Sequence, residues 1–246
     1  MMKNFFYFFA FVSMFFVSCS SSDDTAMQGV LVTKMIQSFE DGTVETINFN
    51  YSGNKLLGQT FDNGYSTVTY TGDLISKIEV FFNNALESRT LYTYDSNQRL
   101  TQFERYEYDD FSDYGDKIVY TYNTNGTVSF SEYSGNLDNP LTLSDTGTFT
   151  LNAIGEVVSA STLNSGDTTY TYDDKNSPYL NVLGLNKLLF DEDPNGMIHN
   201  IVQELNSFNY NRTSTFTYNA AGFPVTEQIE EDDEIINIQY FYNTDN

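Results

Sequence analysis

"TFTYNAAGFPV", residues 215–225, decides the fold. Phe216 and Tyr218 alternate with threonines, and Gly222 follows four positions after the tyrosine. Alternate side chains of a β-strand face opposite sides, so the two aromatics share one face and the threonines share the other. The glycine can adopt the left-handed conformation that a tight hairpin turn needs. The stretch therefore predicts a strand, a turn and the start of a returning strand.

The same pattern recurs along the chain. "VYTYNTNGTV" (119–128) and "TFTLNAIGEV" (148–157) repeat it closely, with turn glycines at Gly126 and Gly155. Looser copies begin near residues 48, 67, 91 and 169, and a half copy ends the chain. We call the last tyrosine or leucine of each copy its anchor. The anchors are Tyr51, Tyr70, Tyr94, Tyr122, Leu151, Tyr172, Tyr218 and Tyr242.

These copies predict an all-β fold in one domain, residues 29–246. We expect a large antiparallel meander of hairpins with about fourteen to sixteen strands. A sheet of this size twists and curls. We therefore predict a curled single sheet or half-barrel, with the anchors and other aromatics on its concave face.

The repeat also resembles a known class. "YNTNG", "YNAAG" and "YDSNQRL" are similar to the tyrosine–aspartate (YD) repeats of RHS and teneurin proteins, whose hairpins wind into a hollow shell. The chain as a whole resembles Bacteroidota lipoproteins of unknown function that carry such repeats. This resemblance implies a hairpin-repeat fold. The number of copies here is too small to close a large cage.

Residues 173–214 interrupt the repeat. "PYLNVLGLNKLLF" (178–190) lacks a two-residue alternation and predicts a short helical plug near residues 179–190, packed against the open end or the concave face of the sheet. A flap over a cavity is the alternative.

A weak calcium motif lies within the same interval. Asp191, Asp193 and Asn195 stand at alternate positions, as in the first half of a calcium-binding loop. Val202 occupies the position where such a loop requires a bidentate glutamate. A turn explains the three residues as well, and we expect neither a metal nor a cofactor.

The N-terminus predicts export. Residues 1–18 combine Lys3 with a short apolar core, which is the layout of a signal peptide and is too short for a good membrane-spanning helix. "FVSC" resembles a lipobox, which implies that Cys19 is acylated and that lipid anchors the protein. Cys19 is the only cysteine, so we expect no disulfides.

Residues 19–28 read as a flexible tether after the acylated cysteine. By resemblance to surface lipoproteins of the Bacteroidota, the polar run directly after Cys19 implies export to the outer face of the outer membrane. This export signal comprises Ser20, Ser21, Ser22, Asp23 and Asp24. The expected location is the outer membrane, lipid-anchored and facing the cell exterior.

Net charge and residue types limit the classes of function that the protein can have. A formal net charge of −23 disfavours nucleic acid as a partner. The acidic runs 106–117 and 227–236 are interpreted as solvated loops, with surface cation binding as the alternative. The single histidine, His199, is interpreted as structural or surface-exposed. We find no catalytic constellation, and the protein is predicted not to be an enzyme.

The leading hypothesis is a non-catalytic binding or structural module for a glycan, a protein or an apolar ligand. Two alternatives stay open. One is a polysaccharide hydrolase that uses two of the thirty-four acidic residues as paired carboxylates. The other is an envelope carrier or assembly factor that holds lipid or nascent protein in the concave face.

Overall fold

The computed structural model describes residues 29–108, 112–191, 194–208, 210–231 and 234–245. The predicted signal peptide, the whole predicted tether 19–28 with Cys19 and the export signal, and Asp193 lie outside the described residues.

Within these described ranges, sixteen strands follow one another along the chain, at the upper end of the predicted number. They are β1 (Val32–Phe39), β2 (Val44–Ser52), β3 (Lys55–Phe61), β4 (Gly64–Thr71), β5 (Leu74–Phe82), β6 (Ala85–Tyr94), β7 (Leu100–Glu107), β8 (Tyr114–Tyr122), β9 (Val128–Asn136), β10 (Thr142–Leu151), β11 (Val157–Thr162), β12 (Asp167–Tyr172), β13 (Ile201–Asn206), β14 (Asn211–Tyr218), β15 (Pro224–Glu231) and β16 (Glu234–Tyr242). Every pairing between neighbours is antiparallel, as predicted.

The sheet closes on itself, and the prediction of an open curled sheet or half-barrel is wrong. β1 pairs with β16, for example Met35 with Tyr240 and Gln37 with Ile238. The final half copy contributes β16 without a return strand. β1, which precedes the first copy of the repeat, pairs with β16 in its place. Closure removes both sheet edges, whose unpaired backbone groups would otherwise invite association with another chain.

The anchors stand at the ends of the even-numbered strands. Tyr51 and Tyr70 are the next-to-last residues of β2 and β4, and the other six anchors are the last residues of their strands. The hairpins that follow even strands lie together at one end of the barrel, which we call the anchor end. The hairpins that follow odd strands lie at the other end, which we call the open end.

The residue after the anchor shapes the turn. In the hairpin of the opening stretch, the Asn219 side chain accepts hydrogen bonds from the backbone N–H groups of Ala221 and Phe223, both at 3.0 Å. Gly222 has φ = 79°, in the left-handed region. An Asn or Asp at this position pre-forms the turn from its own side chain, which explains why "YN" or "YD" marks most copies.

Most return strands carry one extra residue opposite the anchor. Thr217 pairs with Thr226 while Tyr218 pairs with Pro224, so Val225 has no partner in the ladder. Such a bulge shifts the inward-facing side chains of the return strand by one position. Inward residues are therefore three apart at this point, as with the buried pair Leu100 and Phe103.

The two faces of the barrel wall differ in polarity. The residue before the anchor is an exposed Asn or Thr in seven of the eight even strands: Asn50, Thr69, Thr93, Thr121, Thr150, Thr171 and Thr217. The inward neighbours are the aromatic and aliphatic residues of two buried clusters. The interior is therefore apolar near the anchor end, and the outer face carries this polar row together with exposed apolar side chains such as Leu57, Leu143 and Val225.

The connection from β12 to β13, residues 173–200, is the interior segment. The predicted interruption, 173–214, is too long, because β13 and the start of β14 lie within it. The predicted helical plug is also wrong in its secondary structure. The segment forms only a three-residue 3-10 helix, Leu185–Lys187, and Gly184 before it has φ = 85°, outside the α-helical region.

Leu188 and Phe190 of the interior segment belong to one buried cluster of the barrel, and Val182 belongs to the other. Among the described residues no helix is long and apolar enough to cross a membrane.

Candidate functional site: a pocket in the barrel lumen

The interior segment fills the anchor end of the barrel. Its Leu183 N–H donates to the Asn54 carbonyl oxygen of the β2–β3 turn at 2.9 Å. The Asn181 amide donates to the Val30 carbonyl oxygen, just before β1, at 3.0 Å. On another side of the ring, the Asn176 N–H donates to the Gly222 carbonyl oxygen at 3.0 Å. These bonds tie the segment to the anchor end along the arc of the ring from β14 to β3.

The anchor tyrosines form a ring beneath this segment. Four hydroxyls donate to the carbonyl oxygen of an inward-facing residue near the start of the neighbouring return strand: Tyr94 to Ile75, Tyr122 to Leu100, Tyr172 to Val157 and Tyr242 to Pro224, at 2.7–3.0 Å. Burial raises the pKa of Tyr122 to about 12, with smaller effects of Arg99 and Asp95. These phenols stay protonated at neutral pH, so they can donate.

Two further anchors bond to the interior segment itself. The Tyr70 hydroxyl donates to the Leu183 carbonyl oxygen at 3.2 Å, and the Tyr218 hydroxyl donates to the Asp173 carboxylate. The ring therefore fixes the barrel wall and the segment against each other.

A pocket of about 280 Å³ opens in the lumen between the interior segment and the wall formed by β1 and β13–β16. We call it the lumen pocket. Its surface mixes aromatic rings with hydrogen-bonding groups, among them Gln37, Tyr179, Arg212, Phe216, Glu227 and Tyr240. Pockets of this size and mixed character suit a small ligand that is oriented by a few polar contacts.

A buried acid lies in the wall of this pocket. Glu227 is only 8% exposed and accepts a hydrogen bond of 2.6 Å from the Tyr240 hydroxyl. Burial, with Glu227 next in effect, raises the pKa of Tyr240 well above its usual value. The interpretation of 227–236 as a solvated run is therefore wrong at its first residue, because the bulge at Val225 turns Glu227 inward.

A second cavity, of about 210 Å³, lies against β8–β13 and contains the carboxylates of Glu132, Asp145 and Glu204. Burial raises the pKa of Asp145, but hydrogen bonds from the Thr146 N–H and the Ser165 hydroxyl, among others, outweigh it and hold the pKa below its usual range. An acid held ionised in this way is unsuited to act as the proton donor of a hydrolase.

The histidine and the calcium motif take part in interior contacts. Nδ1 of His199 lies 3.1 Å from a carboxylate oxygen of Glu156, which is 1% exposed and also accepts the His199 N–H. Asp191 accepts hydrogen bonds from the Tyr92 hydroxyl and the Asn195 amide. Within the described ranges, no group of three acidic, histidine or cysteine side chains could hold a metal ion.

Sequence reasoning placed Phe216 on the inner face but missed the other members of the lumen pocket. Gln37 lies on β1, which belongs to no copy of the repeat. The inward position of Glu227 on β15 depends on the bulge at Val225. Arg212 lies at the start of β14, within the stretch that was predicted to interrupt the repeat. The available signal was the three-residue spacing of inward residues in the return strands, such as Ile75 and Ile78.

Comparison with solved structures identifies a protein of similar fold. A porin-like protein from Bacteroides vulgatus ATCC 8482 superposes with a TM-score of 0.54 at 13% identity, over 87% of this chain and 99% of that chain. The chain shares its fold with that protein. A porin-like protein from Bacteroides uniformis ATCC 8492 matches with a TM-score of 0.49 at 12% identity, over 86% of this chain and 98% of that chain. No protein-family model matches the sequence, and no curated protein matches it.

Proposed function

We propose that the protein is a non-catalytic binding protein of the outer membrane, anchored by lipid on Cys19, that takes the end of a glycan into its lumen pocket. The observation that carries the proposal is the composition of that pocket. Phe216 and Tyr179 offer aromatic faces on which a sugar ring can stack, and Gln37, Arg212 and Glu227 offer hydrogen bonds to its hydroxyl groups.

The polarity of the wall supports attachment by lipid rather than by the barrel itself. Barrels that span a membrane turn an apolar band outward. Here the outward residues Thr121, Thr150 and Thr171 are exposed and polar, and their inward neighbours Tyr120, Phe149 and Tyr170 are buried. Although the fold is shared with proteins described as porin-like, this wall suits water on its outside.

The path of the chain supports a specific orientation of the barrel relative to the membrane. The described chain begins at Gly29, next to Asn181 at the anchor end. A tether that leads from Cys19 to this point holds the filled end of the barrel toward the membrane. The open end, with the lumen pocket behind it, then faces away from the membrane toward the ligand.

The proposal is tested by screening the purified protein against a glycan array and measuring the affinity of each binding glycan by calorimetry. Phe216→Ala should weaken binding at least tenfold, because it removes a stacking surface from the pocket. Thr215→Ala is the matched control, since Thr215 is the preceding residue on the outer face, and it should leave affinity unchanged. Equal affinity of the two variants would contradict a glycan site in the lumen pocket.

A further inference from the structure

A third interior cavity lies between β2–β5 and the interior segment, next to the wall of the lumen pocket because β1 pairs with β2. We call it the Tyr51 cavity, and its volume is about 230 Å³. Most of its surface is apolar, formed by Phe49, Leu56, Val68, Ile78, Val182 and Leu185. An apolar space of this size favours an apolar occupant over water, which needs several polar partners.

The hydroxyl of Tyr51 lies among these apolar side chains. The Tyr51 hydroxyl oxygen is buried and has no hydrogen-bond partner within the described residues. The other six anchor tyrosines all place their hydroxyls on carbonyl or carboxylate oxygens. A buried hydroxyl without a partner costs about 1–3 kcal/mol, so its retention at this position needs a reason.

The cavity has a polar side and an apolar floor. Gln59 and Ser66 also line it, and they hydrogen-bond to each other through the Gln59 N–H and the Ser66 hydroxyl at 3.0 Å. Both lie farther along β3 and β4 from the anchor end than Tyr51 does along β2. They therefore lie on the side of the cavity that is nearer the open end.

We propose that the Tyr51 cavity binds a small, uncharged and mainly apolar molecule with one hydrogen-bond acceptor, which accepts from the Tyr51 hydroxyl. The molecule is uncharged because burial of a charge without a partner is costly. This site is separate from the glycan site, although Tyr179 and Met197 line both cavities. Burial, together with Tyr179 and Tyr70, raises the pKa of Tyr51, so its phenol keeps the proton that it donates.

The test compares two probes of nearly equal shape, acetophenone and α-methylstyrene, which differ by a carbonyl oxygen in place of a methylene group. Binding to the full chain carrying Cys19→Ala is measured by calorimetry, because detergent would absorb both probes. We expect both to bind and acetophenone to bind about fivefold more tightly, the ratio that corresponds to a net hydrogen bond of about 1 kcal/mol.

Three variants locate the site. Tyr51→Phe should lower the affinity ratio at least fivefold, to one or below, because the acetophenone carbonyl is then buried without a donor. Binding of α-methylstyrene should be unchanged. Ile78→Phe should weaken both probes by filling the cavity. Tyr94→Phe, which removes an anchor hydroxyl outside the cavity, should leave the ratio at about five.

Two results would overturn the proposal. One is the absence of binding of either probe at millimolar concentration, as expected of a cavity that holds only water. The other is a ratio that persists in Tyr51→Phe. Phe216→Ala in the lumen pocket should not change the affinity of either probe, so failure of this proposal is distinguishable from failure of the glycan site.

Discussion

At the scale of single residues, the anchor tyrosines combine two roles that the sequence alone does not separate. Their rings fill the interior and their hydroxyls join neighbouring hairpins. Tyr94 shows the usual arrangement, with its hydroxyl 2.7 Å from the Ile75 carbonyl oxygen. Tyr51 has the same place in the repeat but no such partner. The repeat therefore predicts where each aromatic ring lies, but it does not predict the hydrogen-bond partner of the hydroxyl.

This difference leads to a paired stability prediction. Tyr94→Phe should lower the free energy of unfolding by about 1 kcal/mol, because a buried hydrogen bond is lost. Tyr51→Phe should raise the free energy of unfolding by up to about 1–3 kcal/mol, because it removes a buried hydroxyl that has no partner. Urea denaturation of both variants measures the difference, and an equal loss in both would contradict a free Tyr51 hydroxyl.

A second residue-scale prediction concerns the β6–β7 turn. Gln98 has φ = 60° where the closely matching copies have glycine, and a side chain is strained in this left-handed region. Gln98→Gly should raise the free energy of unfolding by about 0.5 kcal/mol, the relief of strain less the added flexibility of the unfolded chain.

Gln98→Ala is the control for this turn, because it shortens the side chain but keeps Cβ. It should show no gain in the same denaturation experiment. A gain equal to that of the glycine variant would assign the effect to the long side chain rather than to the backbone.

At the scale of elements, the interior segment stabilises the barrel. Leu188 is 1% exposed and packs in the larger buried cluster. Leu188→Ala should therefore lower the free energy of unfolding by about 2–5 kcal/mol, through lost burial and the cavity left behind. Asn186→Ala, an exposed position two residues earlier, should change it by less than about 0.5 kcal/mol. A small effect of Leu188→Ala would show that the barrel is stable without the packing of the interior segment.

Sequence patterns predicted the hairpins well because each hairpin depends on local chemistry. Alternation gave the strands, and the residues after Tyr122 or Tyr218 gave the turns. The inward register of the return strands was missed, because a bulge of one residue reverses the alternation and placed Glu227 inside. The path of the interior segment was also missed. Its backbone conformation depends on contacts with distant hairpins, such as Leu183 with Asn54, rather than on a local period.

At the scale of the whole molecule, closure of the barrel could not be predicted from local sequence patterns. The pairing of β1 with β16 joins residues about two hundred positions apart, and β1 carries neither an anchor nor a turn signal of the repeat. Closure has a functional consequence, because it converts a curved sheet into a container. With the anchor end filled, we propose the lumen as the place where a small molecule binds.

We propose that the barrel lies in water and that Cys19 alone holds it to the membrane. The most direct measurement is fractionation of cells that express the full chain or its Cys19→Ala variant, followed by alkaline extraction of the membranes. We expect the unmodified protein in the outer-membrane fraction and the Cys19→Ala variant in the soluble fraction, with the same β-sheet circular dichroism spectrum. A Cys19→Ala variant that stays in the membrane after alkaline extraction would show that the barrel itself is inserted in the bilayer.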